Sequence, residues 1–302
     1  MQTKKDLYQA VTDRIVQALE QGTVPWVRPW KAQPGDDRPR NAVTGRPYHG
    51  INHLLLWATA IERGYQTDRW LTYRQAQEAG GHVRRGEKGT LVVFWKFVER
   101  EVLDEQGRPL LDEDGQPRRR VIPFARGYTV FNVEQCEDLP ERLLPREEPP
   151  TWSPFEAAEQ VVAASGATIR HRGSQAFYSP EGDFICMPPR GSFPTQDGYY
   201  ATLMHELTHW TGHPRRLARK LGRVHGDADY AFEELVAELG SAFICARLGI
   251  TGELRHEGYI ASWLEVLKQD KRAIFRAAAR AREAAEYLVG DNETEAELDS
   301  AA

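Results

Sequence analysis

Two histidines and a glutamate within one helical turn form the most specific chemical pattern in the chain. Positions 205 to 213 read HELTHWTGH, which places His205 and His209 four residues apart with Glu206 between them, in the pattern H-E-x-x-H. Residues four apart on a helix share one face and differ by about 6 Å along the axis, so both imidazoles can reach one metal ion. Two imidazoles and one further protein ligand suit Zn²⁺ and leave a position open for water. The pattern predicts a zinc-dependent reaction centre.

A second helix supplies candidates for the remaining ligand. The stretch 227–250 has apolar residues at helical spacing and carries Glu234 and Glu238, four residues apart on a face that borders the core. Buried acids need a partner, and a zinc ion with its histidines is one. This order of elements resembles the gluzincin group of zinc peptidases. We predict Glu234 as the third ligand and Glu238 as the acceptor for the free N–H of a ligand histidine, although the sequence fits the reverse assignment equally well.

The residues around these helices indicate the reaction. Glu206 is expected to accept a proton from the water that attacks a polarised carbonyl, so the predicted reaction is peptide hydrolysis. His213 is predicted to be a cap or pocket residue and not a ligand, because Pro214 cannot continue the helix. The stretch 176–189 reads as a hairpin that leads to the metal helix, and in zincins such an edge strand pairs with an extended substrate. Weak candidates for stabilising an oxyanion are Tyr199, Tyr200, Tyr230 and His225.

The two halves of the chain differ in charge and in aromatic content. Residues 1–138 hold 21 Lys and Arg against 19 Asp and Glu, a net +2, whereas 139–302 hold 18 against 25, a net −7. Within 28–100 the count is 13 against 7, and five of the eight tryptophans precede residue 96. Exposed rings stack on unpaired bases while basic side chains follow phosphates, so this half is predicted to bind single-stranded DNA. The candidate contacts lie in loop-like stretches: Trp26, Arg28, Trp30, Arg46, Tyr48, Arg84, Arg85 and Lys88. Rings in apolar runs are interpreted as core.

Length and element pattern predict an α/β (α+β) protein of two domains, each with a core of its own. Prolines between 140 and 154 mark 139–154 as a linker, so that 1–138 is the predicted DNA-binding domain and 155–302 the predicted zincin-like domain. Strands are expected within 91–103 and 118–136, an amphipathic helix at the N-terminus and one long helix over 259–290.

Several features argue against export and membrane insertion. The N-terminal stretch has charges throughout and does not read as a secretion signal. No run approaches the roughly 18 apolar residues that span a bilayer. The three cysteines are odd in number and widely spaced, which argues against a disulfide framework. We expect a cytoplasmic protein without a membrane partner.

Several longer motifs resemble one known family. VPWVRPW, NAVTGRPYHGINHLLLW and GYTVFNVEQCEDLP resemble the N-terminal single-stranded-DNA-binding domain of ArdC-type antirestriction proteins. HELTHWTGHPRRL and FEELVAELGSAF resemble the C-terminal metallopeptidase domain of that family. The resemblance implies a plasmid-encoded protein that protects incoming conjugative DNA from host restriction. Its implied partners are single-stranded DNA and a protein substrate of the restriction system.

Two other functions compete with a peptidase. In the first, the protein coats single-stranded DNA without catalysis and its metal site is structural. In the second, the protein is an acidic decoy that mimics DNA. A net charge of −5 with a basic first half disfavours the decoy, because mimicry requires dense negative charge.

Overall fold

Helices and sheets are mixed along the whole chain, which confirms the predicted α/β (α+β) class. The computed structural model describes residues 6–22, 24–26, 38–65, 67–102, 109–110, 116–144, 154–222, 228–251 and 259–290, with the backbone alone at 95–100, 121–124 and 154. The helices are α1 Leu7–Glu20, α2 Ile51–Arg63, α3 Tyr73–Glu78, α4 Pro154–Ser165, α5 Gln196–Thr211, α6 Ala228–Leu248, α7 Ile260–Gln269 and α8 Ala273–Val289. The strands are β1 Arg40–Asn41, β2 Arg69–Thr72, β3 His82–Val83, β4 Thr90–Glu101, β5 Arg119–Asn132, β6 Cys136–Glu137, β7 Thr168–His171, β8 Phe177–Ser179 and β9 Phe184–Met187.

The first sheet has the strand order β1-β2-β5-β4, in which β1 and β2 are parallel and the other pairs antiparallel. Strands β4 and β5 confirm the two predicted strands of this half. Successive side chains of a strand point to opposite faces, so Val92 joins the cluster around Trp70 while Val93 joins the main core. The Asn52 side chain of α2 both donates to the Val93 carbonyl and accepts its N–H, each at 2.7 Å.

A small ribbon of β3 and β6 lies beside this sheet, and α3 packs on it. Its apolar residues form a separate cluster, which we call the α3 cluster. It consists of Ala42, Leu71, Ala76, Val133 and Leu143, with Ala79, Val83, Cys136 and Leu139 packed against them. The ribbon holds the turn 84–88 that follows β3.

The second sheet has the order β7-β9-β8 and supports α5. Strand β9 is parallel to β7 and antiparallel to β8, so β8 and β9 form the hairpin predicted over 176–189. Ile185 and Met187 are fully buried, on the face of the sheet that packs into the main core. Strand β8 is left at the edge of the sheet on the side of the histidines.

The two halves share one hydrophobic core. Residues of α1 and α2 are buried in the same cluster as residues of α5 to α8. Trp26 packs on Trp263 with ring centroids 5.7 Å apart, and the His53 ring of α2 stacks on Phe243 of α6 at 4.8 Å. The first half also has apolar clusters of its own, around Trp70 and beside α3, and its helices α1 and α2 in addition cover apolar faces of helices in the second half.

The C-terminal helix differs from its prediction in one respect. The single helix expected over 259–290 is two helices, α7 and α8, separated at Asp270. The Asp270 carboxylate accepts the backbone N–H of Arg272 at 2.8 Å. This bond closes a local turn before α8, and such side-chain-to-backbone bonds compete with a continuous helix even where the apolar periodicity continues.

Candidate metal centre and nucleic-acid interface

Helix α5 presents both histidines of the H-E-x-x-H pattern on one side. The Thr195 hydroxyl caps the start of the helix by accepting the N–H of Gly198 at 3.1 Å. The rings of His205 and His209 lie one turn apart with centroids at 4.8 Å. Their side chains are only 14 % and 13 % exposed, so any cation between them would be largely shielded from water.

The helix ends where the sequence predicted an interruption. Thr211 is its last residue, and Gly212 follows as the cap. His213 lies beyond the helix, where its Nδ1 atom accepts the backbone N–H of Arg215 at 3.2 Å. Within the described residues, His213 does not belong to the group of side chains that could hold a metal ion.

Glu234 of α6 completes a cluster with the two histidines. Its Oε2 atom lies 3.5 Å from His205 Nε2, and its Oε1 atom lies 3.5 Å from His209 Nε2. The candidate ligand atoms of His205, His209 and Glu234 all lie within 4.8 Å of one another. Two imidazole nitrogens and one carboxylate are a donor set that binds divalent transition metals with an open position. The residues present therefore fit a divalent cation.

A glycine lets the two helices approach closely enough to form this cluster. A Cβ atom at Gly240 of α6 would lie 2.5 Å from Cγ2 of Thr208 in α5, closer than non-bonded carbons pack. Thr208 directs its hydroxyl to the Met204 carbonyl within its own helix. The contact lies between His205 and His209 along α5, so it sets the spacing between histidines and glutamates.

Each histidine also contacts a second carboxylate through its other ring nitrogen. Glu238 Oε2 lies 3.3 Å from His205 Nδ1, which is the position predicted for the residue that orients a ligand. Glu233 Oε1 lies 3.3 Å from His209 Nδ1. The Glu233 contact is a hydrogen bond of the kind that fixes which nitrogen of His209 faces a metal, whereas Glu238 approaches His205 at ion-pair distance. Glu234 is thus the acid that faces both Nε2 atoms, and Glu238 lies behind His205.

Glu233 and Arg219 are site residues that the sequence interpretation missed. The Arg219 guanidinium donates to both carboxylate oxygens of Glu233, at 3.0 and 2.8 Å. It also donates to the Thr208 carbonyl at 2.6 Å and to the Thr211 hydroxyl at 2.8 Å. Arg219 is nearly fully buried, and a buried arginine requires partners of this kind. The sequence signal for Glu233 was its position next to Glu234. Because α6 is buried on nearly all sides, an acid at that position also needs a partner.

The contacts between these histidines and glutamates shift their pKa values. Burial disfavours charged imidazole, but the carboxylates of Glu233 and Glu234 outweigh it and raise the pKa of His209 to about 9. The pKa of His205 is raised well above its usual range, against burial, by Glu234 and Glu238. Burial acts to raise the pKa of Glu234, yet hydrogen bonds from the two histidines lower it. In the protein alone, the histidines thus tend to hold protons that a cation must displace.

Glu206 lies between the histidines and the edge strand. It is 6 % exposed, and its carboxylate accepts the backbone N–H of Tyr178 in β8. Burial raises the pKa of Glu206, although the two neighbouring histidines act in the opposite direction. A carboxyl group with a raised pKa exchanges protons more readily near neutral pH.

A network beyond α5 ties the hairpin to the metal helix. Arg216 donates to the Asp183 carboxylate at 3.1 Å and to the Tyr178 hydroxyl at 3.2 Å. It also donates to the Trp210 carbonyl at 2.6 Å, and its guanidinium lies 3.7 Å from the centroid of the Trp210 ring. These contacts hold β8 beside Glu206.

The weak candidates for an oxyanion contact differ in their positions. Tyr199 hydrogen-bonds to His171 at 2.8 Å, and Tyr200 donates to Glu159, which are structural contacts. Tyr230 hydrogen-bonds to Glu234 and to Tyr259, and burial raises the pKa of Tyr230. Tyr230 is thus the one of these tyrosines that touches the cluster. His225 lies outside the described residues.

The aromatic residues predicted to contact DNA in the first half are buried where the structure describes them. Trp26 and Tyr48 are 2 % and 7 % exposed, so the prediction that their rings stack on bases is wrong. Trp26 fills the shared core against Trp263, and Tyr48 packs in the cluster around Trp70. The turn signals around Trp26 and Tyr48 in the sequence do not reveal that these two rings pack against apolar residues. Two further predicted contacts lie outside the described residues, namely Arg28 and Trp30.

The basic candidates remain at the surface. Arg46 is half-buried, whereas Arg84, Arg85 and Lys88 are exposed on the turn after β3. Arg84 pairs with Glu87 at 2.9 Å. The turn is therefore accessible to a ligand, as expected from its glycines.

No helix in the described part of the chain combines the length and the apolar character that crossing a membrane requires.

Comparisons with known proteins agree with the two segments. A model described as the N-terminal domain of anti-restriction factor ArdC matches residues 5–131, and one described as a zincin-like metallopeptidase matches 156–280. The DNA primase TraC of Escherichia coli is 45 % identical over 297 residues, which cover 95 % of this chain and 27 % of that protein. The chain thus spans about a quarter of the length of this relative.

Two solved structures extend the comparison to the fold. The metal-free crystal structure of the antirestriction protein ArdC from plasmid R388 is 45 % identical, with a TM-score of 0.76, and covers 94 % of this chain and 96 % of that chain. The Mn(II)-bound structure of the same protein is 43 % identical, with a TM-score of 0.74, and covers 96 % and 100 %. Given this coverage and identity, the chain belongs to the ArdC family of antirestriction proteins and carries a zincin-like domain that implies a divalent metal.

Proposed function

We propose that this chain is a metal-dependent peptidase joined to a single-stranded-DNA-binding module, and that it protects incoming conjugative plasmid DNA from restriction in the recipient cytoplasm. The observation that carries the proposal is the convergence of His205, His209 and Glu234, whose ligand atoms lie within 4.8 Å of one another. Glu206 lies next to this cluster, where a general base is needed.

We assign the cation as Zn²⁺, held by His205, His209 and Glu234, because this donor set is typical of catalytic zinc. Manganese(II) is the alternative, since the related plasmid R388 protein has a Mn(II)-bound structure. When bound, the cation supplies a Lewis acid that polarises a substrate carbonyl and makes water more acidic.

Glu206 performs the proton transfers in this proposal. Its carboxylate accepts a proton as water attacks the carbonyl carbon, and the same group then donates that proton to the departing amine. The Tyr178 N–H that it accepts keeps the carboxylate oriented. Its raised pKa favours holding the proton between the two transfers.

Strand β8 is the element we assign to substrate binding. It lies at one edge of the three-stranded sheet, and its central residue Tyr178 donates its backbone N–H to Glu206. An extended peptide can add to such an edge by main-chain hydrogen bonds. This places the bond to be cleaved close to the general base. We propose a protein of the host restriction system as the substrate.

The first half supplies the DNA-binding activity in this proposal. Its support is the local excess of cations within 28–100, where Lys and Arg number 13 against 7 acids, and the exposure of Arg84, Arg85 and Lys88. Phosphate contacts of this kind give sequence-independent binding that weakens as salt rises.

A second candidate function is coating of single-stranded DNA by a protein whose metal is structural. The buried network of Arg219, Glu233 and His209 favours it, because such a network at the shared core stabilises the fold whether or not catalysis occurs.

Replacement of Glu206 by glutamine separates the two functions. The side chain keeps its size and loses its basicity, so we expect metal content and DNA binding to persist while protection of conjugated DNA is lost. Removal of a general base costs about 10²- to 10⁴-fold in rate. Elemental analysis, DNA binding and a conjugation assay into a restricting recipient are measured on one preparation. The exposed Glu181→Gln change is the control. Full protection by the Glu206→Gln variant would refute the peptidase function and leave DNA coating as the proposed function.

A further inference from the structure

An open groove lies between α3 and the turn that follows β3, on the surface of the first half. It encloses about 570 Å³ and is bordered by two aromatic rings and two arginines. We call it the Tyr73 groove. Its lining residues are Tyr73, His82, Val83, Arg84, Arg85, Gly86, Glu87, Phe131 and Glu137.

One wall of the groove is aromatic and rigidly mounted. Tyr73 is the first residue of α3, directly after Thr72, which caps the helix in a capping box with Gln75. The Tyr73 ring is nevertheless 51 % exposed, and it meets Phe131 of β5 edge-on with centroids 6.4 Å apart. A large exposed ring on a fixed backbone loses little conformational freedom when a planar ligand stacks on it.

The basic turn 84–88 also lines the groove, and its shape is fixed as well. Glu87 accepts hydrogen bonds from Arg84 at 2.9 Å and from the Gln135 side chain at 2.8 Å. The backbone N–H of Arg84 donates to the Gln135 carbonyl at 2.9 Å. At Gly89, a Cβ atom would lie 2.2 Å from Thr129 and 3.0 Å from the Phe131 ring, so only glycine lets the turn lie this close to the aromatic wall.

The groove holds two arginines and two glutamates, and one of the arginines is left for a phosphate. Glu87 is already engaged by Arg84 and Gln135, and Glu137 lies 3.3 Å from His82. Arg85 is exposed and forms no ion pair with a residue in the described ranges. Its guanidinium, unpaired within that part of the chain, thus lines the same groove as the exposed Tyr73 ring.

We propose that the Tyr73 groove binds single-stranded DNA, with an unpaired base stacked on Tyr73 and a neighbouring phosphate held by Arg85. This inference rests on the proposed DNA binding and names its location. Stacking on a ring needs a free base face, which duplex DNA does not offer along its length.

The first half offers a matched control for the stacking ring. Phe94 of β4 is 39 % exposed and packs edge-on against Tyr128 at 5.3 Å. Tyr128 and Phe131 are three residues apart on β5, so they lie on opposite faces of the sheet. Phe94 is thus an exposed ring of similar size that is outside the groove.

The test measures binding of the full chain to a labelled oligothymidine of about 16 nucleotides by fluorescence anisotropy. We expect Tyr73→Ala to weaken binding about 5- to 100-fold, while Tyr73→Phe keeps the ring and nearly the wild-type affinity. Arg85→Gln should lower the slope of log affinity against log salt by about 0.7. Phe94→Ala should bind like the wild type. Thermal melting of each variant checks that folding is intact.

The outcomes separate this inference from the function on which it depends. Wild-type affinity in Tyr73→Ala, with the parent chain binding DNA, would overturn the groove and leave DNA binding in place. The groove would equally be overturned if Phe94→Ala weakened binding and Tyr73→Ala did not. If the unmutated chain binds no oligothymidine, both the proposed DNA-binding function and the assignment of the Tyr73 groove are refuted.

Discussion

The metal centre and the Tyr73 groove present ionisable residues in opposite ways. Between α5 and α6, two histidines, three glutamates and one arginine are held largely away from water, and each contacts another member of the set. In the groove, Tyr73 and Arg85 are exposed and Arg85 has no ion-pair partner among the described residues. Buried charges must be paired by the protein, so the metal site is preorganised by its fold. Exposed groups are left for a ligand to pair.

The largest expected effect is loss of the metal on replacing one ligand. We expect His209→Ala to reduce the bound divalent cation from about one per chain to near none, because two ligands do not hold a catalytic cation. Elemental analysis after dialysis measures it. The exposed His82→Ala change, made in the groove, is the control and should retain the metal. Equal metal content in both variants would refute the assignment of His209.

The next effect tests the shared core. We expect Trp26→Ala to lower the free energy of unfolding by about 3 to 5 kcal/mol, because the ring is buried against Trp263. Urea unfolding of the full chain measures it. Tyr73→Ala, an exposed ring in the same half, should change stability by less than about 0.5 kcal/mol. If Trp26→Ala kept its stability and lost DNA binding, the ring would again be a candidate for stacking on bases.

A smaller effect is expected for Glu233, which contacts the proposed metal ligand His209. We expect Glu233→Gln to weaken metal affinity about 10- to 100-fold, because the amide orients His209 less strongly and leaves Arg219 without its carboxylate. Competition with a chelating indicator measures it. Glu181→Gln serves as the exposed control. If Glu233→Gln lowers the melting temperature but leaves the metal affinity unchanged, Glu233 supports the fold and not the metal site.

The smallest expected effect is that of metal removal on DNA binding. The groove is supported by the α3 cluster, whereas the metal helices belong to the shared core, so removal of the cation by a chelator should leave oligothymidine affinity unchanged. Anisotropy before and after dialysis against the chelator measures it. A changed affinity would instead indicate coupling between the two regions.

Sequence patterns predicted helices and strands better than they predicted which side chains are exposed. The hairpin of β8 and β9, the long strands β4 and β5 and an interruption of α5 before Pro214 were all predicted, because each depends on neighbours close in sequence. The break between α7 and α8 was missed, since apolar periodicity continues through it. Trp26 and Tyr48 were misjudged because burial depends on which surfaces meet, and the sequence around them contains only turn signals.

The same limit applied within the metal site. The spacing of His205 and His209 implied convergence, because one helical turn joins them. Arg219 and Glu233 come from a loop and a helix face that meet only in the folded protein, and no spacing rule connects them.

The sequence by itself determined the H-E-x-x-H helix, the acidic helix that follows it, the mixed α/β (α+β) class and the basic, aromatic character of the first half. Tertiary structure decided which acid faces both histidines, which arginine supports the site, and which rings remain at the surface. The physical reason is that helix and strand periodicity are local, whereas pairing of buried charges and exposure of rings depend on how distant segments pack.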